Sequence, residues 1–311
     1  AIVNARVLDR MTPGQHRFFL TWGLVIPVFG VRFLGPLVMV ALAGQVGLGE
    51  ALDAALHNPD HYRELLEIAE PRILAFGGMF LLMVFLHYFF DDAKTLHWWT
   101  GLEKRLSAAG RIEALEVAVA LIVLLVLVAI APGELRGDLM VCGVLGVVLQ
   151  LLATSLADAF GDEAAAGARV AAGGGLASLL YLELLDASFS LDGTIGAFAI
   201  TSNIILIMVG LGLGALFIRS LTLLLTRERA LDELIYLEHG AHYAIGALGL
   251  LMLAGIPLAA HQVHLPEWLS GLIGIVLLAI VGCLNVLLAL FRHWQDRHQA
   301  TQPTSLRGWV A

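Results

Sequence analysis

Apolar residues along this chain do not alternate with polar ones as they would in half-buried helices or strands; they gather into blocks close to twenty residues long, separated by short polar stretches. A helix rising about 1.5 Å per residue needs about twenty such residues to cross about 30 Å of hydrocarbon. The blocks predict eight spans, at 17–46, 71–90, 114–131, 139–160, 175–199, 203–225, 240–260 and 271–291. The expected fold class is all-α, a polytopic transmembrane helix bundle.

Three connections are longer than turns. Residues 47–70 are acidic and carry Leu52, Leu56, Leu65, Leu66 and Ile68 at roughly helical spacing, which predicts a helix lying along the membrane interface. Residues 91–113 hold His97, Trp98 and Trp99, an interfacial aromatic anchor. Residues 161–175, rich in Ala and Gly and ending Gly173-Gly174-Gly175, read as a linker between two halves.

Composition strengthens the membrane reading. Hydrophobic residues make up 59% and charged residues 14%, with 33 glycines and a mean hydropathy of +0.85; a soluble domain would carry about 25% charged residues. A bundle in lipid holds together by close packing through small residues, which fits the Gly and Ala content. Cys142 and Cys283 lie inside apolar runs, so neither a disulfide framework nor a thiolate metal pair is expected. The net charge of −8 and the lack of a basic cluster interleaved with aromatics exclude nucleic acid as a partner.

Charge also sets orientation. With the N-terminus cytoplasmic, Arg63, Arg72 and Arg136 fall outside, Arg32 falls mid-span, and the remaining fourteen of the 18 Lys and Arg fall inside. Both ends of the chain are therefore expected in the cytoplasm. The chain opens with Ala1, and residues 1–11 are too polar for a signal-peptide core, so further sequence upstream is expected.

The informative residues are acids that hydropathy would not permit. Glu183, Asp186 and Asp192 lie in a segment otherwise apolar enough to span, and each costs about 2.5–3.5 kcal/mol at mid-bilayer. On a regular helix Glu183, Asp186 and Ser190 fall within about 60° of one another, whereas Asp192 lies about 180° from Glu183. Ser190, Gly193, Thr194 and Gly196 would let the helix break and turn Asp192 inward, as discontinuous helices do in transporters. Carboxylates, hydroxyls and freed carbonyls are hard oxygen ligands suited to Mn²⁺, Ca²⁺ or Mg²⁺. The competing reading is that these acids cap helix ends or pair with Arg32 or Arg219.

A second group is expected at the cytoplasmic ends of two spans. His87 and Asp91 are i and i+4 on one, and Glu238 and His242 are i and i+4 on another, with His239 alongside. Imidazole and carboxylate on one helical face suit an entry site or proton relay, or simply solvated side chains at the interface. Glu238-His239-Gly240-Ala241-His242 is not the zinc-protease pattern, and no nucleophile elbow or phosphate loop occurs, so no catalytic residues and no enzyme are expected.

The start of the chain echoes its second half. Ala1-Ile2-Val3-Asn4-Ala5 is similar to Thr194-Ile195-Gly196-Ala197-Phe198, and an apolar span with one arginine follows each, Arg32 or Arg219. The charge count runs those two spans in opposite directions, which predicts an inverted repeat. The expected organisation is an N-terminal repeat half over 1–90, a connecting loop with two spans and the Gly/Ala linker over 91–174, the second repeat unit with the acidic motif over 175–262, and a last span with a cytoplasmic tail over 263–311.

Leu185-Asp186-Ala187-Ser188-Phe189-Ser190-Leu191-Asp192-Gly193, followed by Thr201-Ser202-Asn203-Ile204, resembles the second signature of the TerC-type membrane proteins, the tellurite-resistance and Alx family of the LysE-like transporter superfamily. Tyr236-Leu237-Glu238-His239-Gly240-Ala241-His242-Tyr243 resembles a run typical of a poorly characterised branch of that family. The resemblance implies divalent-cation transport, especially manganese efflux, with Asp186, Asp192 and Asn203 in the site and Asn4, Glu183 and Ser190 supporting them. It places the acids of a first motif upstream of Ala1, and Gly193 stands where the family has serine.

The expected function is thus a divalent-cation efflux transporter of the bacterial cytoplasmic (inner) membrane. Its partners would be membrane lipid, the transported cation, and a second copy or a membrane partner protein. The alternative is a non-transporting scaffold or chaperone-like partner in metal or envelope stress, working through the outside helix around Leu52 to Ile68.

Overall fold

Backbone N–H and C=O groups in hydrocarbon must bond within their own segment, and the apolar blocks fold accordingly as helices. The computed structural model describes residues 34–44, 46–90, 114–165, 204–227 and 237–260, with isolated residues between 272 and 283. Among them the helices are α1 (Gly35–Gly44), α2 (Leu48–His57), α3 (Pro59–Phe90), α4 (Leu115–Ile130), a 3-10 turn (Gly133–Leu135), α5 (Arg136–Ala165), α6 (Ile204–Arg227) and α7 (Leu237–Ala260). No strand occurs among the described residues. Pro59–Phe90, Gly133–Ser155 and His239–Ala259 are long and apolar enough to cross a membrane, and Leu115–Ile130 and Leu206–Ile218 are shorter apolar stretches. By length and composition these helices are compatible with a membrane helix bundle.

Spans expected at 71–90, 114–131, 139–160, 203–225 and 240–260 coincide with α3, α4, α5, α6 and α7 to within a few residues, except that α3 begins earlier. Asn58 explains that difference. It stands between α2 and α3, and its side-chain Oδ1 accepts the backbone N–H of His61 at 3.3 Å, an N-cap, with Pro59 at the first helical position where a missing N–H is harmless. The helix then runs through Pro71 into the span, although Pro71 has no N–H to give the carbonyl of Glu67. Tertiary packing offsets that loss: Tyr62, Leu65, Leu66, Ala69 and Ile73 bury together with Leu37, Val40 and Ala41 of α1 and Ala51, Ala54 and Ala55 of α2.

The leucines expected on one interfacial stripe therefore divide. Leu65 and Leu66 are buried inside this cluster, Leu52 is half-buried, and Leu56 and Ile68 are exposed. The first half of the 47–70 segment is a helix of its own, and the second half is the start of α3.

α3 is the centre of the bundle. From Ile73 to Leu86 its side chains are all apolar and most are fully buried, against α4, α5 and α7. The neighbours alternate in direction. Along α7, Gly246, Gly249 and Met252 meet Phe85, Leu82 and Gly77, so α7 is antiparallel to α3. On α5, Asp138 meets Arg72 and Gly146 meets the Phe76–Phe80 turn, so α5 is parallel to it. α4 places Glu116 beside His87 and runs antiparallel. Glycine permits the approach: a Cβ on Gly78 would stand 3.1 Å from the carbonyl of Gly249, and one on Gly249 would stand 3.0 Å from that of Gly78. Dispersion between closely packed backbones is what lipid cannot supply equally to separated helices.

The remaining sequence expectations about architecture fall elsewhere. The segment at 190–196 expected to break the helix, both halves of the expected repeat signature, and the linker residues 166–175 lie outside the described residues.

Candidate functional site

Helical spacing builds one polar and aromatic cluster at the end of the α3–α7 contact. Phe85, Tyr88 and Phe89 share a face of the last turns of α3, and His239, His242, Tyr243 and Gly246 share a face of the first turns of α7, both at i, i+3, i+4 spacing. The two faces interlock. Phe85 sits on Gly246, where a Cβ would come within 2.5 Å of its ring, and meets Tyr243 edge-on at 5.5 Å between centroids. Tyr88 stacks on His242 with ring centres 3.8 Å apart and planes 6° from parallel. Its hydroxyl lies 2.8 Å from Nδ1 of His239, a hydrogen bond whose donor depends on the imidazole tautomer. His239 and His242 are 3% and 8% exposed. One flat ring thus engages two buried imidazoles of the neighbouring helix, which ties α3 to α7 and puts exchangeable protons in contact.

The expected inner-mouth residues divide between two neighbours. His242 belongs to the Tyr88 cluster. His87, half-exposed, turns instead to α4, where its Nδ1 lies 3.3 Å from Oε1 of Glu116. Asp91 lies outside the described residues, and Glu238 is in the first turn of α7 with no described side chain. Tyr88 and Glu116 escape sequence reasoning. Tyr88 adjoins His87 and Glu116 lies across from it, but a single sequence carries no signal for pairing positions 88 and 239 or 87 and 116.

A second polar layer closes the opposite end. Arg72 donates from Nε and Nη2 to Oδ2 of Asp138, at 3.0 and 2.5 Å, and from Nη1 to the carbonyl of Ile68 at 2.8 Å. Asp138 lies in the first turn of α5, where the helix dipole favours a negative charge. Arg136 donates to the carbonyls of Ala131 and Ala129, both at 3.1 Å, and so satisfies the end of α4. Sixteen residues of α3 separate Arg72 from Tyr88, about 24 Å along the axis. The two layers bracket an apolar slab close to the thickness of a bilayer core.

The ligands expected in the acidic span, Glu183, Asp186, Ser190 and Asp192, together with Asn203 and Asn4, lie outside the described residues, as does Arg32; the side chain of Arg219 in α6 is not described. Among the described residues no three His, Cys, Asp or Glu side chains converge as a metal ion would require. Tyr88, His239 and His242 supply two imidazoles and one phenol, which suits hydrogen bonding better than a hard divalent ion.

Comparison with known proteins corrects one expectation. The family described as Protein of unknown function (DUF475) matches residues 1–291. That is not the TerC family, and a match over nearly the whole chain outweighs one built on the short runs 185–193, 201–204 and 236–243. The physical reason for the false likeness is that any apolar span carrying a polar notch is written in the same few letters, Leu, Ala, Phe, Ser and Asp. No curated protein and no solved structure matches the chain.

Proposed function

The chain belongs to the DUF475 family of proteins of unknown function, and from that premise we propose that it is an integral membrane transporter of a divalent cation, working through Glu183, Asp186 and Asp192. The observation that carries the reading is these three acids within a single span-length apolar segment. Three carboxylates left uncompensated there would cost several kcal/mol, roughly 2.5–3.5 each, and a hard cation or a proton is the compensation their chemistry favours. Ser190 and Asn203 supply further oxygens nearby in sequence, and Asn4 offers another from the start of the chain.

The described bundle supports this reading in a general way. A rigid apolar centre with polar layers at either end is a scaffold on which a polar span can be enclosed. The excess of Lys and Arg in alternate connections favours both ends of the chain in the cytoplasm of a bacterial inner membrane. The Tyr88–His239–His242 cluster then lies at the inner end and Arg72–Asp138 at the outer. Mn²⁺, Mg²⁺ and Ca²⁺ all suit an all-oxygen site, and release to the outside would be helped by protonation of the acids.

Flux into or out of proteoliposomes holding the full chain, measured with each of the three ions in turn, tests the proposal. Asp186→Asn and Asp192→Asn remove charge with little change of shape, and each should abolish flux while the protein remains folded. Wild-type flux from both variants would exclude the carboxylates as the site. A non-transporting scaffold is the second reading, favoured by Leu48, Leu56 and Ile68, which are exposed on the acidic outer helices. On that reading the wild type moves none of the three ions, and deleting 48–57 costs partner association.

A further inference from the structure

Among the described residues the buried apolar side chains form two bodies that share only α3. One joins α1, α2 and the start of α3 as far as Ile73, together with α6, whose Ile207 is buried there and whose Met208 and Leu211 are half-buried against it. The other joins α4, α5 and α7 around α3 from Ala75 onward. No side chain of α1 or α2 belongs to the second body, and none of α4, α5 or α7 belongs to the first. A single helix therefore carries both cores, one on each side of residues 73–75.

That helix is weakest close to the passage from one core to the other. Pro71 has no N–H for the carbonyl of Glu67, and prolines inside helices are where sharp bends form. α7 has its own break at the same height. Gly77 lies against Met252 and Leu74 against Gly255, so Pro257, which gives no N–H to the carbonyl of Leu253, stands level with Arg72. A side-chain tie crosses the boundary there. Arg72 donates from Nη1 back to the carbonyl of Ile68, on the far side of Pro71, and from Nε to Asp138 at the start of α5. Asp138 is 48% exposed, so water can replace the guanidinium when the pair opens.

We propose that α3 is hinged at Pro71, so that the body of α1, α2 and α6 rocks against the body of α4, α5 and α7, and that the Arg72–Asp138 pair latches the arrangement seen here. A hinge confines backbone change to a few positions while the units on either side stay packed, and two separately packed cores on one helix meet that need. Twelve residues separate Pro59 from Pro71, about 18 Å along the axis. A change of about 15° in the bend moves the far end by about 5 Å. Rocking of one helix group against another is how carriers open a site to each side in turn. The hinge itself asks nothing of the ion or its ligands, so its test is structural and separate from any measurement of flux.

The full chain in lipid nanodiscs, carrying Cys142→Ala and Cys283→Ala, is spin-labelled in pairs at exposed positions, and the label distances are read by pulsed electron resonance. Leu56→Cys on α2 with Leu145→Cys on α5 spans the two bodies, and Leu250→Cys on α7 with Leu145→Cys lies within one of them. Asp138→Ala removes the latch and should add or favour a second Leu56–Leu145 distance displaced by about 5 Å, with the Leu250–Leu145 distance unmoved. Pro71→Ala restores the missing N–H and should narrow the Leu56–Leu145 distribution to a single peak, in the presence of Asp138 or of Asp138→Ala. A Leu56–Leu145 distribution that Asp138→Ala leaves unchanged overturns the latch and hinge together. So does broadening that both label pairs share, or broadening that survives Pro71→Ala. Should Asp138→Ala not fold, Pro71→Ala alone decides: a narrower distribution than wild type supports the hinge, and an equal width overturns it.

Discussion

The α3–α7 seam and helix α6 are made of the same letters and behave in opposite ways. Both are apolar, and both carry glycines on a helix of more than twenty residues. In the seam, the backbones of Gly78 and Gly249 approach so closely that a Cβ on either would press on the other's carbonyl. In α6, a Cβ on Gly210 or Gly214 would meet nothing within 4 Å among the described residues. Leu206, Val209, Leu213 and Leu224 of α6 are more than half exposed, and Phe217 is 71% exposed, while Ile207 and Ala215 are buried among its described side chains. Helix-forming apolarity is therefore no guide to packing in a bilayer. What distinguishes a core helix from a lipid-facing one is whether its small residues meet a second backbone.

The sharpest way to break that contrast is to add bulk to the seam. Gly249→Val puts a branched side chain where a single Cβ would already stand 3.0 Å from the carbonyl of Gly78 and 3.0 Å from the amide nitrogen of Leu82. Those are backbone atoms and cannot rotate aside, so the helices must separate and the contacts of Gly77, Gly78 and Leu82 go with them. Overpacking of this kind costs about 2–3 kcal/mol. Unfolding in graded denaturing detergent measures it, and a loss under about 0.5 kcal/mol would show that the seam gives way easily and differs little from α6.

Less severe is Tyr88→Phe, at the polar end of the same seam. The ring stays to stack on His242, and only the hydroxyl bonded to Nδ1 of His239 is removed. A net cost of about 1 kcal/mol is expected, since a buried nitrogen loses its phenol and water cannot readily replace it. Unchanged stability on the same detergent scale would mean that glycine contact and ring stacking hold this end without the hydrogen bond.

How much of this is open to sequence reasoning follows from range. The spans at 71–90, 114–131, 139–160, 203–225 and 240–260 are legible because the bilayer imposes a length and a composition on each helix independently of its neighbours. The run of α3 through Pro71 is not, since proline and the polar residues of 59–70 read locally as a break, and only the packing of Tyr62, Leu65 and Leu66 on α1 and α2 overrides them. Nor is the pairing of Tyr88 with His239, which joins residues 151 positions apart. His87 and His242 each share a helix face with an acid in the sequence; the fold gives one to Glu116 and the other to Tyr88. Gln150, 1% exposed on α5 and with an Oε1 that has no hydrogen-bond partner among the described residues, is invisible for the opposite reason, because one glutamine in an apolar run reads as tolerable until its neighbours are known. The family likeness misleads because it rests on three short runs, 185–193, 201–204 and 236–243, out of the whole chain.

The smallest effect tests the other side of the comparison. Gly210 and Gly214 are i and i+4 and so share one face of α6. If nothing needs the space beside them, Gly210→Ala and Gly214→Ala add only a methyl group directed outward, and the helix gains by restricting the backbone of the unfolded segment. In water that gain reaches about 1 kcal/mol per residue. In a bilayer the unfolded reference keeps most of its helix, so a gain between about 0 and 0.5 kcal/mol is expected for each, adding in the double variant. The sign carries the information. Should both alanine variants destabilise by about 1 kcal/mol or more in the same detergent titration, a second backbone must lie against that face, and α6 would belong with the seam as a packed helix rather than opposite it.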